Sequence, residues 1–174
     1  MVGYKRNYQK HCKKNKRSSA NCNCNFNCFN SSSSSCDDSD YIIETRTQFT
    51  VIQSAENICN LTTMISDECI GLDGYFLQSL NDNCSLFSFT IGDENEQKSQ
   101  SLGIVRCILK KLCICFLEDE VLRIIPPTSG PGTFAKLYCQ LTSNDIEVYN
   151  AYPSANGEAI YIEPSCINEA KCIL

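Results

Sequence analysis

The chain changes character at residue 41, and this change limits what each part can fold into. Residues 1–40 contain the run NCNCNFNCFNSSSSSCDDSD, which is rich in Asn, Ser and Cys and poor in apolar side chains. Such a segment cannot bury enough apolar surface to offset the entropy lost on ordering it. Short apolar runs separated by turn-forming residues begin at Tyr41. We therefore predict a disordered, cysteine-rich N-terminal arm over residues 1–40 and one folded domain over residues 41–174.

Alternating apolar and polar residues predict several β-strands in the folded domain. The segments YIIETRTQFTV, CSLFSFTIG and AIYIE all show the two-residue period of a strand with one buried face. Another strand is predicted at Ile58–Ile65. The pair Asp73-Gly74 lies between apolar stretches and has the chemistry of a tight hairpin turn.

The middle of the chain fits two kinds of secondary structure. In SLGIVRCILKKLCICFLEDEVLRIIPP, Ile104, Ile108 and Leu112 follow a helical period, whereas the β-branched and cysteine content favours buried strands. Interpreting this segment as strand gives about eight strands joined by turns. The sequence then predicts the all-β class and an antiparallel β-sandwich, for which a jelly roll is one arrangement.

Charge is divided unevenly between the arm and the domain. Residues 1–36 carry seven basic residues and no acidic one, whereas residues 37–174 carry 8 basic and 20 acidic residues. A basic arm could bind nucleic acid through phosphate contacts. It could equally dock onto the acidic domain of a neighbouring copy. We favour docking, because the arm lacks the pattern of a recognition helix and the acidic domain would repel a nucleic-acid duplex.

The cysteine content is high for a chain that begins without an export signal. There are 14 cysteines in 174 residues, and MVGYKRNYQKHCKKNKR has no apolar segment of the kind that a secretory signal peptide requires. We therefore expect synthesis in a reducing cytosol, where disulfides rarely persist. Two explanations remain, namely metal ligation and oxidation after the producing cell has lysed.

Two groups of cysteines are candidates for intermolecular disulfides. Those of the arm lie on a basic segment, which favours the thiolate that attacks a disulfide. The domain contains nine, an odd number, so at least one must bond elsewhere or remain reduced. Cys139, between Leu137 and Leu141, is instead predicted to be a small buried apolar residue. The candidates are Cys12, Cys22, Cys24, Cys28, Cys36, Cys113, Cys115, Cys166 and Cys172.

Metal binding and catalysis have less support in the sequence. A zinc-binding module is the alternative function, but its donors lack the paired C-x2-C knuckles of structural zinc sites. The only histidine, His11, lies in the arm, so the domain has no base for a Ser-His or Cys-His pair, and no glycine-rich phosphate loop follows a strand before a helix. We predict no enzyme activity, no cofactor, no metal and no membrane partner. The donors of the zinc alternative would be His11, Cys12, Cys22, Cys24 and Cys28.

Two segments resemble the cysteine-rich spore coat protein Y/Z family of Bacillus-type bacteria. One is AIYIEPSCINEAKCIL at the C-terminus, and the other is KLCIC at residues 111–115. The layout, a cysteine-bearing arm before a β domain, is also similar to that of spore appendage subunits. The resemblance implies a self-assembling structural protein of the spore surface, in the exosporium, outer coat or an appendage fibre. Its partners would be further copies and other coat or exosporium proteins, joined by disulfides. The matching residues of the C-terminal segment are Ile160, Ile162, Glu163, Ser165, Cys166 and Cys172.

Overall fold

The computed structural model describes residues 41–81, 83–93, 95–127, 130 and 132–174. The predicted arm over residues 1–40 lies outside the described residues. The described residues form six strands and four helices. In chain order they are β1 (Ile42–Gln53), α1 (Ala55–Asp67), β2 (Leu72–Asn81), β3 (Cys84–Ile91), α2 (Ser99–Lys111), β4 (Phe116–Ile125), α3 (Thr133–Thr142), β5 (Val148–Pro153), β6 (Ile160–Pro164) and α4 (Ile167–Ile173).

The six strands form one antiparallel sheet in the order β2-β3-β1-β4-β6-β5. This order follows from two successive β-α-β-β-α units, the first beginning at β1 and the second at β4. In each unit the first strand pairs with the third, and the second strand lies at an edge of the sheet. The two first strands, β1 and β4, pair with each other from Ile42–Ile125 to Val51–Phe116. The strand order is therefore symmetric about this central pair, with one unit on each side.

Each unit packs its helices on the same face of the sheet. In the first unit, Phe49 and Phe89 project toward α1 and α2, with ring centroids 5.5 Å apart. In the second unit, Leu122 and Ile162 pack with residues of α3 and α4. Burial of these side chains supplies the main favourable energy of folding, at about 25 cal/mol per Å² of apolar surface. The helix-covered face of the sheet thus carries two hydrophobic clusters, and a smaller third cluster of Val121, Tyr152 and Tyr161 lies on the opposite face.

The opposite face of the sheet is concave and is buried by the sheet itself. The sheet curls until its two edges meet at a bridge between Gly74, in β2, and Ser154, just after β5. Residues near the middle of the concave side are therefore shielded from water although no helix covers them, whereas Leu117, farther along β4 on the same face, is 45% exposed. Gln48, Thr90 and Arg123, on this face, are each at most 1% exposed.

The prediction of an all-β sandwich or jelly roll is wrong, because four helices cover one face of a single curled sheet. The segments YIIETRTQFTV, CSLFSFTIG and AIYIE do form strands β1, β3 and β6. The predicted strand at Ile58–Ile65 is part of α1, which begins after the N-cap Ser54. The ambiguous segment contains both kinds of structure, because its first part belongs to α2 and its second part forms strand β4 as predicted. Leu137 to Leu141 lies in α3.

The predicted hairpin at Asp73-Gly74 is also wrong. Both residues lie within β2, and the chain turns between Asn81 and Cys84 instead. Asn81 supports that turn, because its side-chain oxygen accepts hydrogen bonds from the amides of Asn83 and Cys84 at 3.0 and 2.9 Å. Gly74 is needed for a different reason, which is the close approach of an aromatic ring from β6.

Candidate functional site

The cysteines of the domain lie at its surface. Seven of the nine are exposed, Cys84 and Cys166 are half-buried, and none is buried. This distribution is unusual, because cysteine is among the residue types most often buried in folded proteins. The prediction that Cys139 is a buried apolar residue is wrong, since α3 turns Leu137 and Leu141 inward and leaves Cys139 exposed. Surface thiols are available for reaction with other molecules.

The four candidate cysteines of the domain lie at or near helix ends. Cys113 follows the end of α2, and Cys115 directly precedes β4, so neither lies in the strand that was predicted for this segment. Cys166 is the N-cap residue of α4, and Cys172 is exposed in the last turn of α4. The five arm candidates lie outside the described residues.

Two of the surface cysteines occupy positions that normally favour glycine. Cys69 and Cys113 have positive φ angles of 56° and 55°. Each ends a helix in the same way, with Ile70 N bonded to Ile65 O and Ile114 N bonded to Leu109 O. In this helix-ending motif the left-handed residue is usually glycine, and another residue costs about 1–2 kcal/mol. A thiol is therefore held at two helix ends despite a conformational cost.

Two findings on metal ligands and membrane-spanning helices concern the residues that the structure describes. No group of three or more Cys, His, Asp or Glu side chains among them could hold a metal ion. The donors of the zinc alternative belong to the arm and lie outside these residues. No helix in the described part of the chain is long and apolar enough to cross a membrane.

Two buried arginines form the centre of a charged layer on the concave face. We define this layer as the concave-face side chains Glu44, Arg46, Gln48, Asp73, Arg123, Tyr152, Tyr161 and Glu163. The side chains of Arg46 and Arg123 are 4% and 1% exposed. Arg46 donates from Nε and Nη2 to Glu44 Oε2 at 3.1 and 2.7 Å, and Arg123 Nη1 donates to the same oxygen at 3.5 Å. One carboxylate thus joins β1 to β4 across the centre of the sheet.

Asp73 completes the environment of Arg123 from the edge strand β2. Its Oδ2 lies 3.2 Å from Arg123 Nε and accepts a hydrogen bond from the Tyr161 hydroxyl. Burial raises the pKa of Tyr161, and the hydrogen bond to Asp73 raises it further, so the phenol stays protonated and donates. Because Gly74 has no Cβ, the Tyr161 ring can approach the backbone of β2 closely.

Tyr152 and Gln48 extend the layer along β1. The Tyr152 hydroxyl donates to Gln48 Oε1 at 2.6 Å, and Gln48 Nε2 donates to Glu163 Oε2 at 3.3 Å. The rings of Tyr152 and Tyr161 stack with centroids 5.2 Å apart. Burial raises the pKa of the Tyr152 phenol, with a smaller contribution from Tyr161, so this hydroxyl also remains neutral.

Two guanidinium nitrogens in this layer are buried without a hydrogen-bond partner among the described residues. One of them, Arg123 Nε, still lies 3.2 Å from Asp73 Oδ2. The other is Arg46 Nη1. It lies beside Gly92, where an added Cβ would stand 3.3 Å from Nη1 and 2.6 Å from the backbone oxygen of Glu96. A buried donor without a partner costs about 1–3 kcal/mol, so an acceptor placed here would bind favourably.

Comparisons with solved structures identify the fold. The chain is similar to protein BT0572 from Bacteroides thetaiotaomicron, with a TM-score of 0.61 and 18% identity over 76% of this chain and 88% of that chain. It is also similar to the regulatory subunit of aspartate kinase from Thermus thermophilus, with a TM-score of 0.54 and 13% identity over 77% and 91% of the two chains. The chain therefore shares the fold of these two proteins. At these identities the likeness concerns the fold alone.

The regulatory subunit of aspartate kinase from Thermus flavus shares this fold at a TM-score of 0.51, with 12% identity over 76% of this chain and 91% of that chain. No protein-family model matches the chain. No curated protein is similar to it in sequence.

Sequence reasoning missed the charged layer. Glu44, Arg46 and Gln48 alternate with apolar residues along β1 and were expected on a solvent-facing side. The available signal was Arg123 within the apolar run VLRII of β4, because arginine is rarely buried without a partner. That signal gives neither the curl of the sheet nor the partners Asp73 and Tyr161, which come from distant parts of the chain.

Proposed function

We propose that this chain is a non-catalytic building block that joins further copies of itself through disulfides between surface cysteines. The observation that carries the proposal is the exposure of the domain thiols, seven of nine exposed and none buried. The two cysteines in left-handed conformation add support, because glycine would end those helices at lower cost. The resemblance of the C-terminal segment to spore coat proteins suggests the spore surface as the setting.

Air oxidation of the purified full chain should produce a ladder of covalent oligomers on a non-reducing gel. Each bond forms when two thiols give up two electrons and two protons to dioxygen. We expect Ser substitution of Cys22, Cys24 and Cys28 to shorten the ladder, because it removes three arm thiols.

Two controls make the oxidation result interpretable. Reductant should collapse the ladder to monomer, and Cys139→Ser, outside the candidate set, should leave its length nearly unchanged. Oxidised wild-type protein that runs as monomer alone would contradict the proposal.

A second candidate function is regulatory binding of a small carboxylate. The fold supports it, because two of the similar structures are regulatory subunits of aspartate kinase. The specific observation is the buried Arg46 Nη1 without a described partner, since guanidinium groups bind carboxylates well.

Thermal unfolding with and without ligand tests this candidate. Common amino acids and succinate, each at millimolar concentration, would be the probes. A ligand at 100 times its Kd stabilises the folded state by about 2.7 kcal/mol, which raises Tm by several degrees. Arg46→Met should abolish the shift, whereas Arg106→Met, on the surface, should retain it. If no probe raises Tm in the wild-type protein, this candidate is excluded.

A further inference from the structure

Helices α1 and α2 enclose an open groove of about 520 Å³ on the outer side of the domain. One side is a stripe of α2 residues spaced three or four apart, so these residues share one helix face. The other side is formed by two α1 residues one turn apart. The lining residues are Met64, Glu68, Gln100, Gly103, Ile104, Cys107, Ile108 and Lys111.

Gly103 makes a depression in the middle of this groove. A Cβ built on Gly103 would meet nothing within 4 Å, so the space above it is open. Glycine inside a helix costs about 1 kcal/mol relative to alanine, and no close contact in the described structure requires it here. The floor is apolar, with Ile108 buried and Met64 and Ile104 half-buried, while Cys107 is exposed at the wall. The groove combines an apolar floor with a reactive thiol.

We propose that residues 21–29 of a second copy bind in this groove, with Phe26 and Phe29 on the apolar floor and Cys28 forming a disulfide with Cys107. This inference rests on the proposed function and names the two cysteines that one of its disulfides would join. Within residues 1–40, the segment 21–29 is where phenylalanine and cysteine occur together, in NCNCNFNCF.

The length of the segment suits the groove, and the net charges of the arm and the domain favour their encounter, although residues 21–29 themselves carry no charge. Nine extended residues span about 30 Å, which exceeds the roughly 20 Å length of a 13-residue helix such as α2. Residues 1–36 carry seven basic and no acidic residues, whereas residues 37–174 carry 20 acidic and 8 basic residues. Opposite charges of this size increase the rate of encounter between an arm and a neighbouring domain. Each aromatic ring then contributes a large apolar contact area.

The bond can form with a low-molecular-weight disulfide as oxidant. Oxidised glutathione accepts two electrons and two protons from the thiols of Cys28 and Cys107, and leaves as two molecules of reduced glutathione. The exchange proceeds through a mixed disulfide, which the second thiolate attacks. No other co-reactant is needed.

Isotope mixing tests the inference on the full chain. Equal amounts of ¹⁴N-labelled and ¹⁵N-labelled protein are oxidised together with glutathione disulfide, and the covalent dimers are digested and analysed by mass spectrometry. We expect a peptide pair linking Cys28 to Cys107 that carries one light and one heavy partner. Gly103→Phe, which fills the depression, should reduce this pair by about tenfold, and Cys107→Ser should remove it.

A matched control keeps the groove open. Lys110→Phe adds the same aromatic group to an exposed position of α2 that does not line the groove, and the linked pair should persist at the wild-type level. Oligomer ladders without a Cys28–Cys107 link, or a link within one copy only, would overturn this inference while leaving disulfide-joined assembly intact. Absence of all oligomers would overturn both.

Discussion

Replacing Arg123 by methionine is expected to lower the free energy of unfolding by about 3–5 kcal/mol, because removing one partner of a buried ion pair leaves the other charge without compensation. Arg123 is 1% exposed and lies between Glu44 and Asp73, so both carboxylates lose a cation. Urea denaturation of the full chain under reducing conditions, followed by circular dichroism, measures the change.

Arg106 provides the matched control for this substitution. It pairs with Glu118 at 2.7 Å, but its side chain is 39% exposed, and exposed pairs contribute about 0–1 kcal/mol. Arg106→Met should therefore have a small effect. Equal losses for the two substitutions would mean that the buried pair contributes no more than a surface one.

Gly74→Val is expected to destabilise the domain by about 3 kcal/mol or more, because it overpacks a buried site where the neighbouring groups cannot move apart. A Cβ on Gly74 would lie 2.8 Å from two carbons of the Tyr161 ring and 3.0 Å from Tyr152 Cε2. Both rings are buried, stacked on each other and held by hydrogen bonds to Asp73 and Gln48. The midpoint of urea unfolding should fall accordingly.

Gly103→Ala serves as the comparison for a glycine with open space above it. Its Cβ meets no atom within 4 Å, and alanine is a better helix former than glycine by about 1 kcal/mol. This variant should be as stable as the wild type or more so. A Gly74→Val protein of wild-type stability would show that the Tyr161 ring can move away from β2 without loss.

The sequence predicted strands where apolar and polar residues alternate. Strand β1 was found because Phe49 and Val51 face the helices while the residues between them are polar. The same rule located β3 and β6. Strand prediction failed at Asp73-Gly74. This pair has the composition of a tight turn, so a turn was predicted although both residues lie inside an edge strand.

The helices were missed because short helical and extended patterns overlap. Leu137 and Leu141 are four residues apart, a spacing that fits both one face of a helix and alternate positions of a strand. Cys139 lies midway between them, so the three residues imitate the two-residue spacing of one strand face. In α2 a helical period was visible, but β-branched residues were given more weight than periodicity. Tertiary packing against the sheet decides such cases.

The charged layer could not have been predicted from local pattern. Alternation places Arg46 and Gln48 on the face opposite the hydrophobic cluster but leaves open whether water reaches that face. Their burial depends on contact between the edges of the sheet, at residues 80 positions apart in the chain. The cysteines show the reverse case, because their chemistry is evident in the sequence but their exposure is not.

The central ladder between β1 and β4 has a mechanical consequence. Each of the two helix-covered hydrophobic clusters includes side chains from one strand of this pair. The two arginines of the concave face project from the same two strands. Strands in a sheet are rotated relative to their neighbours by about 20–25° on average. A change of twist between β1 and β4 would shift the helix packing of both units and the width of the concave face together. Strain applied to one unit would therefore reach the other through the backbone of these two strands.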